Sequence, residues 1–138
     1  MRAEPYLYFQ GRCDEALAFY RNAIGADGAV VARFGDIPGT QAPPGAEAKV
    51  AHAVMRIGDT VVLASDGQGG GQAVFNGFSL SLTASDDAEA ERLFAALADG
   101  GHVQVPMMST PFASRMGIVG DRFGVPWMVV TQTQSATA

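Results

Sequence analysis

The sequence repeats one order of structural elements in its two halves. The segment that starts at Asp14 and the segment that starts at Ala88 each run from an acidic start through an amphipathic helix and a glycine stop into a β-rich stretch. One strand is predicted before each helix and about three strands after it, so the order is βαβββ, twice. The repeat therefore predicts an α+β chain built from two modules of the same kind.

Both predicted helices carry apolar residues on one face at helical spacing. On the first helix these are Ala16, Phe19, Tyr20, Ala23 and Ile24, and on the second they are Ala90, Leu93, Phe94 and Leu97. Gly25 and the pair Gly100–Gly101 supply the C-terminal stops, because glycine readily takes the left-handed conformation that ends a helix.

The strands are predicted from alternating and β-branched runs. In the first half they are Tyr6–Gln10, Ala29–Phe34, Val50–Ile57 and Thr60–Ser65, and in the second half Phe78–Ala84, His102–Val105, Arg115–Val119 and Trp127–Thr131. Gly58–Asp59 is a two-residue hairpin signal. We expect one domain over residues 1–138, with module 1 at about 4–66, a linker at 67–76, module 2 at about 77–132 and a disordered tail at 133–138.

Charge and composition limit the partners and the compartment. The formal net charge is −5 and the nine Lys and Arg residues form no run, which argues against nucleic acid and anionic membranes as partners. No segment approaches the roughly 18 consecutive apolar residues of a membrane span. Cys13 is the single cysteine, so an intrachain disulfide and a cysteine-based zinc cluster are excluded. The N-terminal MRAEPYLYF lacks the apolar stretch of a signal peptide, and we expect a cytoplasmic protein.

Several phrases of the sequence resemble one known group of proteins, the vicinal oxygen chelate superfamily, and within it the PhnB-like branch. This superfamily includes glyoxalase I, extradiol dioxygenases, fosfomycin-resistance enzymes and bleomycin-resistance proteins. The phrases are PYLYFQGRCDEALAFY (5–20), RFGD (33–36), VAHAVMRIGDTVVLASDG (50–67), GFSLSLTASDDAEAERLFAALADGG (77–101) and DRFGVPWMV (121–129). The resemblance implies that the two modules pair into a cup-shaped mixed β-sheet with the helices outside.

The same resemblance allows the superfamily's four metal-ligand positions to be placed on this chain. They fall at Pro5, Leu63, Ser79 and Met128. A divalent metal needs imidazole, carboxylate or thiolate ligands, and none of these four side chains supplies one. We therefore expect neither a metal nor another cofactor.

The candidate ligand-binding residues are polar, aromatic or Met side chains on the strands and loops that the resemblance places at the cup. They are His52, Ser65, Ser79, Ser81, Phe112, Arg115 and Met128. His52 is either a strand histidine hydrogen-bonded to a neighbour or a group that binds ligand or transfers a proton, and it is the one weak catalytic candidate. Arg115 is either exposed, paired across strands, or a clamp for an anionic group.

Three further residues have both a structural and a functional interpretation. Asp66, before a glycine, is predicted to be a turn residue that could also contact a ligand. Trp127 is predicted under a helix with Met128 facing the cup, although a shift of one residue would reverse them. Cys13 lies at a helix start, where a thiolate would be favoured.

The leading hypothesis is a metal-free protein that binds a small organic molecule in the cup, as bleomycin-resistance proteins do. The alternative is an enzyme of the glyoxalase or dioxygenase type (an isomerase, lyase or group transferase) that uses His52, Arg115 or a metal with unusual ligands. A nucleotide-cofactor methyltransferase is set aside, because no P-loop or Rossmann glycine pattern is present. We also expect a homodimer, because the outer sheet edges of each module would remain unpaired.

Overall fold

The computed structural model describes residues 1–39, 44–68 and 71–132, in two compact units, Met1–Ala73 and Val74–Ala138. The first unit contains β1 (Tyr6–Tyr8), α1 (Cys13–Ile24), β2 (Asp27–Arg33), a 3-10 turn (Phe34–Asp36), β3 (Val50–Ile57) and β4 (Thr60–Ser65). The second contains β5 (Leu80–Thr83), α2 (Asp87–Ala98), β6 (His102–Thr110), β7 (Ala113–Gly120) and β8 (Pro126–Gln132). The predicted tail at 133–138 lies outside the described residues.

Each unit forms one four-stranded mixed sheet. The strand orders are β1-β4-β3-β2 and β5-β8-β7-β6. In each sheet the strand before the helix pairs in parallel with the last strand of the unit, and the other neighbours are antiparallel. The two units therefore share one topology, and the predicted α+β fold with two βαβββ modules is confirmed.

In the first unit, the helix covers one face of the sheet. A Cβ built on Gly28 would lie 3.0 Å from Cδ2 of Leu17 on α1, so the Gly28 position faces the helix. Met55 lies directly opposite Gly28 and is fully buried, as is Ala53 two residues away. Because side chains alternate along a strand, His52 and Val54 lie on the other face.

The core face of α1 differs slightly from the predicted one. Its buried residues are Cys13, Ala16, Leu17 and Tyr20. Leu17, which the prediction omitted, contacts the sheet, whereas Ala23 and Ile24 are only half-buried near the helix end. Gly25 ends α1 as predicted, with φ of 70° and its N–H donating to the Arg21 carbonyl.

In the second unit, α2 covers the corresponding face. A Cβ built on Gly117 would lie 2.7 Å from Cε2 of Phe94 on α2. Trp127 and Val129 on β8 are buried, and Val129 pairs with Gly117. Trp127 therefore lies on the helix side, as predicted, and the half-buried Met128 lies on the opposite face.

Strand ends differ from the prediction where backbone conformation or edge position decides them. The first strand ends at Tyr8 and not at Gln10, because Gln10 (φ 52°) and Gly11 (φ 101°) take left-handed conformations. The sixth strand was predicted over His102–Val105, but it continues through Pro106 to Thr110. Among the described strands it lies at the edge of its sheet, where proline is tolerated because one row of backbone N–H groups makes no ladder hydrogen bond.

The remaining strand bounds shift by a few residues. Observed and predicted bounds differ for Asp27–Arg33, Leu80–Thr83, Ala113–Gly120 and Pro126–Gln132, whereas Val50–Ile57 and Thr60–Ser65 are as predicted. Both helices have 12 residues. Within the described ranges, no helix is long and apolar enough to cross a membrane.

Candidate functional site

Three aromatic rings form a row on the face of the first sheet that α1 does not cover. Tyr6 pairs with Leu63 and Tyr8 with Ser65, and Leu63 in turn pairs with Val54 on the face that also carries His52. The Tyr6 and Tyr8 rings are stacked, with centroids 5.0 Å apart and planes inclined by 22°. The Tyr6 and His52 rings are 5.6 Å apart. We call Tyr8, Tyr6 and His52 the aromatic row.

A hydrogen bond of 2.8 Å joins Oη of Tyr6 and Nδ1 of His52. The two residues belong to β1 and β3, so the Tyr6 side chain reaches across β4, which lies between them. Burial raises the pKa of Tyr6, with smaller contributions from Tyr8 and Cys13. The phenol therefore keeps its proton at neutral pH, and it can donate that proton to Nδ1 while the imidazole carries its own proton on Nε2.

Ser65 lies on this face, paired with Tyr8, and its side chain is engaged in the turn after β4. It is 3% exposed. Its Oγ donates to the Val50 carbonyl (3.2 Å) and accepts from the Gly67 N–H (3.0 Å). The hydroxyl thus stabilises the turn, and its remaining capacity for another hydrogen bond is small.

Asp66 is more than a turn residue. Its carboxylate is 4% exposed and accepts three backbone N–H groups, from Gly11 (2.9 Å), Cys13 (2.8 Å) and Val50 (2.8 Å). These donors belong to the loop after β1, the first turn of α1 and the start of β3. Asp66 therefore holds together the loop, helix and strand that adjoin the aromatic row.

Cys13 is fully buried at the first position of α1. Burial raises the pKa of its thiol to about 12, the charges of Asp66 and Asp14 add to this shift, and Arg33 opposes it. The thiol is therefore protonated at neutral pH, although a helix start favours a thiolate. This geometry gives Cys13 a packing role.

In the second unit, Ser81 and Met128 lie side by side on the face away from α2. They are directly paired across β5 and β8, and Met128 also pairs with Ile118 on β7. Ser81 is exposed, and Met128 and Ile118 are half-buried. Ser79 is exposed and precedes β5. This part of the face combines the apolar side chains of Met128 and Ile118 with the hydroxyl of Ser81.

Arg115 lies on the other face of that sheet. It pairs with Thr131, on the same side as the Gly117–Val129 pair that faces α2. Its Nε is 3.2 Å from Oε1 of Glu91 on α2, and its Nη1 donates to the Ser114 carbonyl. The structure thus brings Ser81 and Met128 together but directs Arg115 to the helix. Phe112 is in the turn between β6 and β7 and is 52% exposed.

The four positions that the resemblance assigns to metal ligands carry Pro5, Leu63, Ser79 and Met128, and none of these side chains is an imidazole, a carboxylate or a thiolate. Leu63 pairs with Tyr6, and the Leu63 N–H donates to the Pro5 carbonyl. In the part of the chain that the structure describes, no three His, Cys, Asp or Glu side chains are grouped closely enough to hold a metal. The expected lack of a metal remains a prediction.

Tyr6 and Tyr8 contribute two of the three rings and were not among the predicted site residues. The signal was present in the alternation Tyr6-Leu7-Tyr8, because a strand places the first and third residues on one face. Gln10 was not predicted either, and its buried Oε1 has no hydrogen-bond partner within the described residues. Nothing in the local sequence indicates that this oxygen would be enclosed.

Known proteins resemble this chain over nearly its whole length. The model of the 3-demethylubiquinone-9 3-methyltransferase family matches residues 2–130. Protein YjdN of Escherichia coli is 34% identical in an alignment of 149 residues, gaps included, that covers 99% of each chain. Protein PA1353 of Pseudomonas aeruginosa is 39% identical, with a TM-score of 0.83 over 96% of this chain and 98% of that one.

A further similarity concerns the fold alone. The PhnB protein of Bacillus cereus superimposes with a TM-score of 0.79, covering 95% of this chain and 99% of that chain at 24% identity. The matched topology and the sequence matches agree with the motifs that resembled the PhnB-like branch of the vicinal oxygen chelate superfamily. The chain belongs to the 3-demethylubiquinone-9 3-methyltransferase family.

Proposed function

We propose that this protein binds a small organic molecule without a metal, in the manner of a bleomycin-resistance protein. The observation that carries the proposal is the Tyr6–His52 hydrogen bond of 2.8 Å on the sheet face that α1 leaves uncovered. Small-molecule sites combine apolar and aromatic walls with a few fixed polar groups. The aromatic row has this composition, and His52 retains one ring nitrogen for a ligand.

The first unit orients these groups before any ligand arrives. Stacking against Tyr6 fixes the Tyr8 ring, and the hydrogen bond to Tyr6 fixes the imidazole of His52. A side chain already held in one rotamer loses little entropy on binding. In the second unit, Ser81 and Met128 are paired on the sheet face away from α2 and are proposed as ligand contacts of that unit, whereas Arg115 forms an ion pair with Glu91.

The proposal is tested by a thermal-shift screen of small organic molecules that includes bleomycin. A ligand that binds only the folded state raises the melting temperature in a saturable way. For a compound that does so, we expect His52→Ala to weaken binding at least about fivefold, which corresponds to the loss of one buried hydrogen bond. His102→Ala is the matched control, because His102 is exposed on β6. Failure of every compound to stabilise the protein would contradict the proposal.

Metal content and assembly are measured on the same purified sample. We expect no zinc, nickel, iron or manganese near one equivalent per chain in elemental analysis, because the four ligand positions carry Pro5, Leu63, Ser79 and Met128.

We also propose a cytoplasmic homodimer. Light scattering should give about twice the 14.4 kDa chain mass, and a value near 14.4 kDa would contradict the dimer.

An enzyme of the glyoxalase or dioxygenase type is the second candidate. The Tyr6–His52 pair favours it, because a histidine whose other nitrogen is hydrogen-bonded is a common acid–base group. The two functions differ in one measurement, since a binding protein returns its ligand unchanged. Chemical conversion of a bound compound, lost in His52→Ala and retained in His102→Ala, would favour the enzyme.

A further inference from the structure

Tyr8 is the outermost ring of the aromatic row and is 50% exposed, although one of its faces is stacked on Tyr6. A ring that is covered on one face and half exposed overall presents its other face to solvent. Aromatic rings prefer offset stacking or edge contacts with another ring at centroid distances of about 4.5–7 Å. The row can therefore be extended by one more ring, and that ring must come from outside this strand.

A polar group lies beside the exposed ring. A Cβ built on Gly67 would lie 3.5 Å from Cδ1 of Tyr8 and 3.5 Å from Oε1 of Gln10, so both side chains pass next to Gly67. The Gln10 oxygen is buried without a hydrogen-bond partner among the described residues. A buried acceptor without a donor costs free energy, and such exceptions call for a specific explanation.

The backbone at Gln10 supports a special role for this loop. Gln10 is the one non-glycine residue with positive φ in the described part of the chain. A non-glycine residue in the left-handed region stores strain, and such strain concentrates at ligand-binding loops. Asp66 holds the loop in place through the Gly11 N–H. Strain, an unpaired acceptor and an exposed ring thus meet at the end of β1.

We propose that the ligand of this site is a planar aromatic molecule with an N–H or O–H donor, stacked on Tyr8 with its donor directed to Gln10. This inference rests on the proposed binding function and adds the chemical class of the ligand. The side chain of Gln10 supplies the acceptor, because its Oε1 lacks a hydrogen-bond partner among the described residues.

The probe is indole, with benzofuran as a ring of the same shape that lacks the donor and cyclohexanol as a donor without an aromatic ring. Binding is followed by titration in two-dimensional NMR, in which an aromatic ligand shifts nearby resonances. We expect indole to perturb Tyr8 and Gln10 saturably, benzofuran to bind at least about threefold more weakly, and cyclohexanol to show no saturation.

Variants distinguish stacking on Tyr8 from nonspecific binding to exposed apolar side chains. Tyr8→Leu should weaken indole binding about threefold to tenfold, whereas Tyr8→Phe should change it less than about twofold, because the ring is retained. Phe78→Leu is the control, since Phe78 is also an exposed aromatic side chain (41%, against 50% for Tyr8) and was not selected as a ligand-binding residue. Its removal should leave indole binding unchanged. Thermal melts of all three variants establish that each is folded.

The outcomes test the aromatic ligand class and the proposed binding function separately. Equal indole binding in Tyr8→Leu and the unaltered protein would overturn the stacking contact. Equal affinity for indole and benzofuran would overturn the role of Gln10. In either case, a compound from the wider screen whose binding depends on His52 would leave the proposed function standing. No binding by indole or by any screened compound would overturn both.

Discussion

Replacing Asp66 with alanine is expected to lower the free energy of unfolding by about 3 kcal/mol, because three backbone N–H groups lose their shared acceptor. The donors are Gly11, Cys13 and Val50, at 2.8–2.9 Å from the carboxylate. Asp66 is 4% exposed, so in the variant water can hydrogen-bond these N–H groups only after the loop that follows β1 opens. Urea denaturation followed by circular dichroism measures the loss.

Asp59→Ala is the control for this prediction. Asp59 is an exposed aspartate in the β3–β4 hairpin of the same unit, and its removal should change stability by less than about 0.5 kcal/mol. Hydrogen exchange gives a local test, because the amides of Cys13 and Val50 should lose protection in Asp66→Ala. A stability loss below about 1 kcal/mol would show that Asp66 does not hold these segments together.

Replacing Asp121 with alanine is expected to cost about as much in the second unit, roughly 3 kcal/mol. Its carboxylate is 3% exposed and accepts the N–H groups of Phe123 (2.9 Å) and Val125 (3.0 Å) and the indole N–H of Trp127 (2.8 Å). The chain has one tryptophan, so its fluorescence reports this contact directly. We expect the emission of the folded variant to shift and its urea midpoint to fall.

The control for this prediction is Asp99→Ala. Asp99 is 77% exposed and forms a surface ion pair with Arg122 at 3.2 Å, which should contribute at most about 1 kcal/mol. A double-mutant cycle of Asp121→Ala with Trp127→Phe isolates the indole contact. A coupling energy near zero in that cycle would contradict the assigned hydrogen bond.

The sequence was sufficient where the information is local. Helical and strand periodicity predicted both helices, the duplicated order and the opposite faces of Trp127 and Met128, because side-chain direction repeats along one element. Motifs spread over residues 5–129 indicated the family. Strand ends were less accurate. Proline ends a central strand but is tolerated in an edge strand, as Pro106 is in β6. Whether a strand lies at the edge depends on the strand order of the whole sheet.

The contacts of the candidate site depended on the tertiary structure. Tyr6 and His52 are 46 residues apart, and they meet because β1 inserts in parallel beside β4 rather than beside its sequence neighbour β2. The same arrangement brings Asp66 to the start of α1 and converts a turn residue into a buried acceptor. Likewise, Arg115 pairs with Glu91 because α2 crosses that face of the sheet. Periodicity determines which face a side chain takes, but strand order determines which side chains share that face.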